Sequence, residues 1–205
     1  MRTNKRTFSQ AELNPESLVA PLDVEKVFGR TARLEVELGC GDGSFLVACA
    51  TAHPERDFLG VEQMPGRVRS ACRKIGADRV ANARVLRLEI SHALGLLPRA
   101  SVDVFHLLFP DPWPKRRHQH RRTVTRGFLR ATWRALRPDG SLRIKTDEAD
   151  YFQQMQEVVR QTTDLFLPAS DDEPRTVPTT TFEKRFLAAG AQLHGLVLRK
   201  LPDGR

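Results

Sequence analysis

The chain is 205 residues long, 40% hydrophobic and 28% charged, with a net charge of +8 and an isoelectric point near 10.0. That is the length of one domain with a proper core, and the strong positive balance points to a polyanionic partner, nucleic acid ahead of an anionic membrane surface. Three cysteines (Cys40, Cys49, Cys72) without CxxC spacing exclude a disulfide framework and a zinc site, and reduced thiols fit the cytoplasm. No apolar run approaches the roughly 20 residues of a membrane span. The opening MRTNKRTFSQ lacks the apolar stretch of a secretory signal.

Residues 1–30 are polar and punctuated by Pro15, Pro21 and Gly29, which predicts a basic, loosely ordered arm; residues 31–205 form one domain. RLEVEL (33–38) is a strand ending at GCGDGS, and FLVACATAH is helical. DFLGVE (57–62) is a second strand, followed by the basic helix MPGRVRSACRKIGA. ARVLRL (83–88) is a third strand and VDVFHLLF (102–109) a fourth, the most apolar. VTRGFLRATWRALRP (124–138) has helical spacing at Phe128, Leu129, Trp133 and Leu136. SLRIKT (141–146) is a fifth strand, EADYFQQMQEVVRQT (148–162) a helix, and AQLHGLVLRKL (191–201) a final strand. Strands alternating with helices predict an α/β, Rossmann-like fold: a mostly parallel sheet with helices on both faces.

The loop GCGDG (Gly39, Gly41, Gly43) follows the first strand and opens the first helix, where a tight turn lets a ligand approach bare backbone. Ser44 stands where a dinucleotide-binding GxGxxG needs its third glycine, which disfavours NAD(P) and suits S-adenosylmethionine, a ligand without a pyrophosphate. Glu62 ends the second strand, where an acid accepts hydrogen bonds from ribose hydroxyls. Glu37 offers negative charge to a cofactor's sulfonium or amino group. The bland readings are a solvated strand end for Glu62 and an arginine partner for Glu37.

The fourth strand delivers Phe109-Pro110-Asp111-Pro112-Trp113 to the edge of the sheet where open α/β folds bind ligands. The prolines restrict the loop around Asp111, and Trp113 is placed to shield the site or stack on a base. KRRHQHRR follows at once, with five Lys/Arg and two His in eight residues. Its positive neighbours argue against His118 and His120 as metal ligands. Its charge suits a phosphate backbone, with Arg116, Arg117, Arg121 and Arg122 as the contacts.

FPDPWPKRRHQHRR resembles the signature segment of the tRNA (guanine-N7-)-methyltransferases, and ELGCGDG and GVE resemble that family's cofactor motifs. The resemblance runs from about residue 33 to the end. It implies a class I S-adenosylmethionine-dependent methyltransferase with a seven-stranded sheet, acting on guanine 46 of the tRNA variable loop. It implies Asp111 as the catalytic acid, also facing the cofactor, and Glu37, Gly39, Gly41 and Glu62 as cofactor-binding residues. Lys115 and Asp147 match substrate-binding residues, and Thr180, Thr181, Phe182 and Glu183 match the T-x-F-E element. After the third strand the chain departs from the family pattern: LEISHAL leaves Glu89 or His92 for the contact near the adenine. Two local alternatives stay open, Asp147 as a helix N-cap and Thr180-x-x-Glu183 as a capping box. A non-catalytic RNA-binding module and a methyltransferase for another RNA, a protein or a small molecule remain as other classes. The sequence is compatible with a monomer and with a homodimer, and predicts no membrane partner.

Overall fold

The computed structural model describes residues 11–169, 183, 187, 188 and 190–202. Its sheet has eight strands, numbered in chain order: β1 (Glu12–Leu13), β2 (Arg33–Leu38), β3 (Arg56–Glu62), β4 (Ala83–Arg87), β5 (Val102–Leu108), β6 (Leu136–Thr146), β7 (Phe166–Ala169) and β8 (His194–Lys200). The spatial order is β1-β4-β3-β2-β5-β6-β8-β7. β2 pairs in parallel with β3 and with β5, while β8 runs antiparallel to β6 and to β7.

The position of β2 follows from its sequence. Leu34, Val36 and Leu38 alternate with Glu35 and Glu37, and all five are buried. A strand with no solvated face belongs in the middle of a sheet covered on both sides. The helices are α1 (Val24–Phe28), α2 (Ser44–Ala52), α3 (Pro65–Ala77), α4 (Ile90–Leu96), α5 (Arg126–Ala135) and α6 (Ala149–Arg160). Leu34, Val36 and Leu38 join the core cluster that holds Leu94, Phe128, Leu129, Tyr151 and Met155 from α4, α5 and α6. The second cluster joins Phe45, Leu46 and Ala50 of α2 to Val68, Ala71 and Ile75 of α3 over β3 and β4. Glu35 is compensated: Arg56 Nη1 lies 2.6 Å from one carboxylate oxygen and His106 Nε2 lies 2.9 Å from the other.

Several expectations change. The described part of the N-terminal arm is tied to the domain rather than loose. Ala11 is buried, β1 extends the sheet beside β4 as an eighth strand, and the Leu22 N–H donates to the Leu96 carbonyl at 2.8 Å. The helix expected over 124–138 stops at Ala135, because Leu136 is already extended and begins β6. Pro138 disfavours helix at the residue before it and cannot donate a helical hydrogen bond. β7, unmarked by any clear pattern, contains Pro168 and lies at the sheet edge, where a missing N–H is tolerated. No helix among the described residues is long and apolar enough to cross a membrane.

Candidate active site

The order β3-β2-β5-β6 reverses direction between β2 and β5, and the crevice beyond the carboxyl ends of those two strands is the natural ligand site of such a sheet. A cleft opens there. It is lined by Glu37 near the end of β2, Gly39 and Gly41 just after it, Phe45 of α2, Arg67 of α3, and Asp111 after β5. The glycine loop, Glu37 and the proline-flanked Asp111 thus share one cavity.

Gly39, Gly41 and Gly43 all have positive φ, at 80°, 54° and 74°. Gly43 is doubly constrained, since a Cβ there would lie 2.6 Å from Ala71 Cβ. The loop is pinned by Glu62, whose two oxygens accept from the N–H groups of Gly41 (3.0 Å) and Met64 (2.8 Å). Glu62 is therefore not a solvated strand end. It braces the loop and keeps a second lone pair on each oxygen. Asp42 also lines the cleft and pairs with Lys74 of α3. Burial pushes the Asp42 carboxyl up, but bonds from Lys74 and Ser44 outweigh that and leave it below the ordinary value.

Glu37 has no arginine partner of the kind Glu35 has. Its Oε2 is buried and accepts no hydrogen bond from any described residue. Burial first, then the charges of Asp42 and Glu62, push its carboxyl well above the ordinary range, with partial relief from the Leu46 backbone N–H. Leaving a buried acceptor unmet costs about 1–3 kcal/mol. A cationic N–H donor entering the cleft would remove that cost, and the ammonium of S-adenosylmethionine is such a donor. The residues present fit that cofactor.

Asp111 is exposed at the lip of the cleft, and among the described residues it accepts no hydrogen bond. Two bulky residues bracket it at positive φ, Phe109 at 52° and Trp113 at 44°. Each such residue costs on the order of 1–3 kcal/mol and persists only where its surroundings hold it. Phe109 is held by its N–H donating to the Lys145 carbonyl at 2.8 Å. Trp113 lies under the Arg121 guanidinium, 4.9 Å from the ring centroid, and beside His118 at 5.9 Å.

The basic block forms a 3-10 helix over Arg116–Arg121, and Lys115, Arg116, Arg117 and Arg121 are exposed. Arg122 is not, and its expected phosphate contact is corrected here. It is 4% exposed, with Nε donating to the Pro112 carbonyl at 2.8 Å, Nη1 to Gln154 Oε1 at 3.2 Å, and Nη2 paired with Asp150. Its guanidinium also lies 4.8 Å from the Tyr151 ring centroid. Every polar edge faces protein, so no phosphate reaches it.

Asp147 follows β6 on the same edge of the sheet and is half-buried. The N-cap of α6 is Glu148, one residue later, and Thr146 Oγ1 accepts the Glu148 N–H at 3.2 Å. Asp147 is therefore not spent on capping. Glu183 pairs with Lys145 at 2.7 Å and lines a second cavity that shares Phe45 and Leu108 with the first. Thr180, Thr181 and Phe182 lie outside the described residues. Glu89 caps α4, accepting from the Ser91 N–H at 2.7 Å and the His92 N–H at 3.3 Å, and both Glu89 and His92 are exposed outside the cleft lining. Two members of the site were missed in the sequence: Arg67, 3.9 Å from Glu62, and Phe45, the wall between the two cavities. Their only sequence signal was position in the first turn after a strand-end motif.

The family described as "Putative methyltransferase" matches residues 31–196. The tRNA (guanine-N(7)-)-methyltransferase of Alkalilimnicola ehrlichii is 36% identical over 189 residues, covering 88% of this chain and 78% of its own. Those of Halorhodospira halophila and Leifsonia xyli are 37% and 40% identical, covering 89% and 88% of this chain and 81% and 82% of theirs. Among solved structures, the 16S rRNA methyltransferase KamB superposes with a TM-score of 0.66 at 18% identity, over 89% of this chain and 95% of that one. The antibiotic-resistance methyltransferase Kmr gives 0.60 at 19%, over 89% and 93%. At those identities the two structures speak for the fold alone, a class I methyltransferase sheet. On fold, cleft and sequence together, the chain belongs to the tRNA (guanine-N(7)-)-methyltransferase family.

Proposed function

We propose that this protein transfers a methyl group from S-adenosylmethionine to N7 of guanine 46 in tRNA, in the cytoplasm. The observation that carries the reading is the pairing of two carboxylates in one cleft: Glu37, buried with one oxygen unmet by any described residue, and Asp111, exposed at the lip. The names of the relatives support guanine N7 of tRNA as the target, and the match to the signature segment supports position 46.

Bound S-adenosylmethionine supplies an electrophilic methyl group on a sulfonium sulfur. Glu37 holds the cofactor's ammonium, the backbone of Gly39 and Gly41 lets it approach closely, and Glu62 offers its remaining lone pairs to the ribose hydroxyls. Guanine N7 carries a lone pair and no proton, so no residue is needed to deprotonate it. Asp111 instead accepts from the guanine N1–H and N2–H edge, turns N7 toward the methyl, and favours the positive charge that develops on the purine. Asp147 and the Thr180–Glu183 element contact the acceptor base, while Lys115, Arg116, Arg117 and Arg121 grip the phosphates. Acid therefore serves the base, and cations serve the backbone.

The test is incubation with S-adenosylmethionine and two tRNA transcripts, one with guanine and one with adenine at position 46. Borohydride reduction and aniline scission cleave RNA at 7-methylguanosine. The reading predicts scission at position 46 of the first transcript alone. Scission elsewhere, or in both transcripts, contradicts it.

A further inference from the structure

Within KRRHQHRR one cation behaves unlike the rest. Arg122 is buried, and its three bonded edges touch two different parts of the site. Nε reaches the carbonyl of Pro112, the residue directly after Asp111. Nη1 and Nη2 reach Gln154 and Asp150, one turn apart on α6, the helix that begins just after Asp147. The guanidinium is backed by the Tyr151 ring, itself fully buried, whose hydroxyl accepts the Val124 N–H at 3.1 Å. Two non-glycine residues at positive φ flank Asp111, and a loop storing that strain relaxes unless something outside it holds the backbone.

We propose that Arg122 is a positioning residue: one buried guanidinium locks the Asp111 loop to the Asp147 end of α6 and fixes the two acids relative to each other. The inference rests on the proposed function, because those acids matter only if the acceptor base lies between them. A planar fork with several fixed donors serves three acceptors at once. A lysine ammonium is a point charge on a flexible stem and cannot replace it. The buried charge is tolerable because every edge is met. Asp111 itself has no bond among the described residues, so its direction comes from the backbone on either side of it.

A displacement of about 1 Å at a reacting centre costs on the order of 100-fold in rate. Arg122→Lys is therefore expected to lower single-turnover methyl transfer by about 10- to 100-fold at saturating tRNA and cofactor, with both dissociation constants within about twofold of the parent. Asp150→Asn, which keeps shape and removes the charge, is expected to lower it less and in the same sense. Arg122→Gln is expected to leave the salt dependence of tRNA binding unchanged, whereas a phosphate contact would reduce the slope by about 0.7–0.9. A readout independent of activity uses Trp113 as the sole tryptophan in a Trp133→Phe background. Arg122→Lys should make Trp113 more accessible to acrylamide quenching. Unchanged quenching, or full single-turnover rates in both Arg122→Lys and Asp150→Asn, would overturn the inference. A parent protein that fails to methylate tRNA would sink the proposed function instead, and the quenching arm would still decide the role of Arg122.

Discussion

Arg116, Arg117 and Arg121 are exposed and form no ion pair with any described residue, so none must break a bridge to reach a phosphate. Arg117 Nε donates to His118 Nε2 at 3.1 Å, and Arg121 stacks on Trp113, but neither contact neutralises charge. Replacing all three by glutamine should remove three counterion-releasing contacts. At about 0.7–0.9 per contact, the plot of log K against log salt flattens by about 2–2.7. Between 50 and 200 mM salt the parent then loses about 20- to 40-fold more affinity than the triple variant. Fluorescence anisotropy of labelled tRNA over five salt concentrations reads the slope. A triple variant with the parent slope would refute the assignment of these three side chains to the phosphate backbone.

Glu37→Gln should weaken S-adenosylmethionine binding by about 1.5–3 kcal/mol, the worth of a charge-assisted hydrogen bond, without lowering the melting temperature of the ligand-free protein. Calorimetric titration paired with thermal unfolding checks both. The sign of the pH dependence follows from the raised Glu37 carboxyl. Folding favours its protonated form, so its contribution to stability is full below the ordinary carboxylate range and is lost as pH rises through the raised value. Cofactor binding needs the ionised form and should release a proton in that window, tightening as pH rises. Titrations in two buffers of different ionisation heat should detect this release in the parent and not in Glu37→Gln. Asp111→Asn should reduce single-turnover methyl transfer by two or more orders of magnitude while tRNA binding by anisotropy holds. Gly43→Ala forces a Cβ to 2.6 Å from Ala71 Cβ at φ 74° and should cost on the order of 1–3 kcal/mol in thermal or denaturant unfolding.

Much of the site was legible because it sits on the ends of strands. Glu37 and Glu62 were readable from strand, glycine loop and second strand in order, and Asp111 from an apolar strand running into prolines. Their partners were less so. That Glu62 braces Gly41, and that Glu37 is left unmet while Glu35 is paired, depends on which face of β2 meets Arg56 and His106. Arg122 was misread because a charge run looks uniform along the chain. Its burial is decided by α6, 28 residues downstream at Asp150, which no local pattern reveals. The N-cap left open for Asp147 falls one residue later, at Glu148, the usual margin at a helix end. β1 and β7 are short edge strands, held by the sheet beside them rather than by their own composition.

The account stands on Asp111 facing the methyl group that leaves the cofactor, and a crystal structure of the protein with S-adenosylhomocysteine tests this most directly. It should place the amino group on Glu37 Oε2, the ribose against Glu62, and the sulfur turned toward the Asp111 carboxylate. A sulfur buried on the α3 side of the glycine loop, with Asp111 pointing into solvent away from it, would contradict the account.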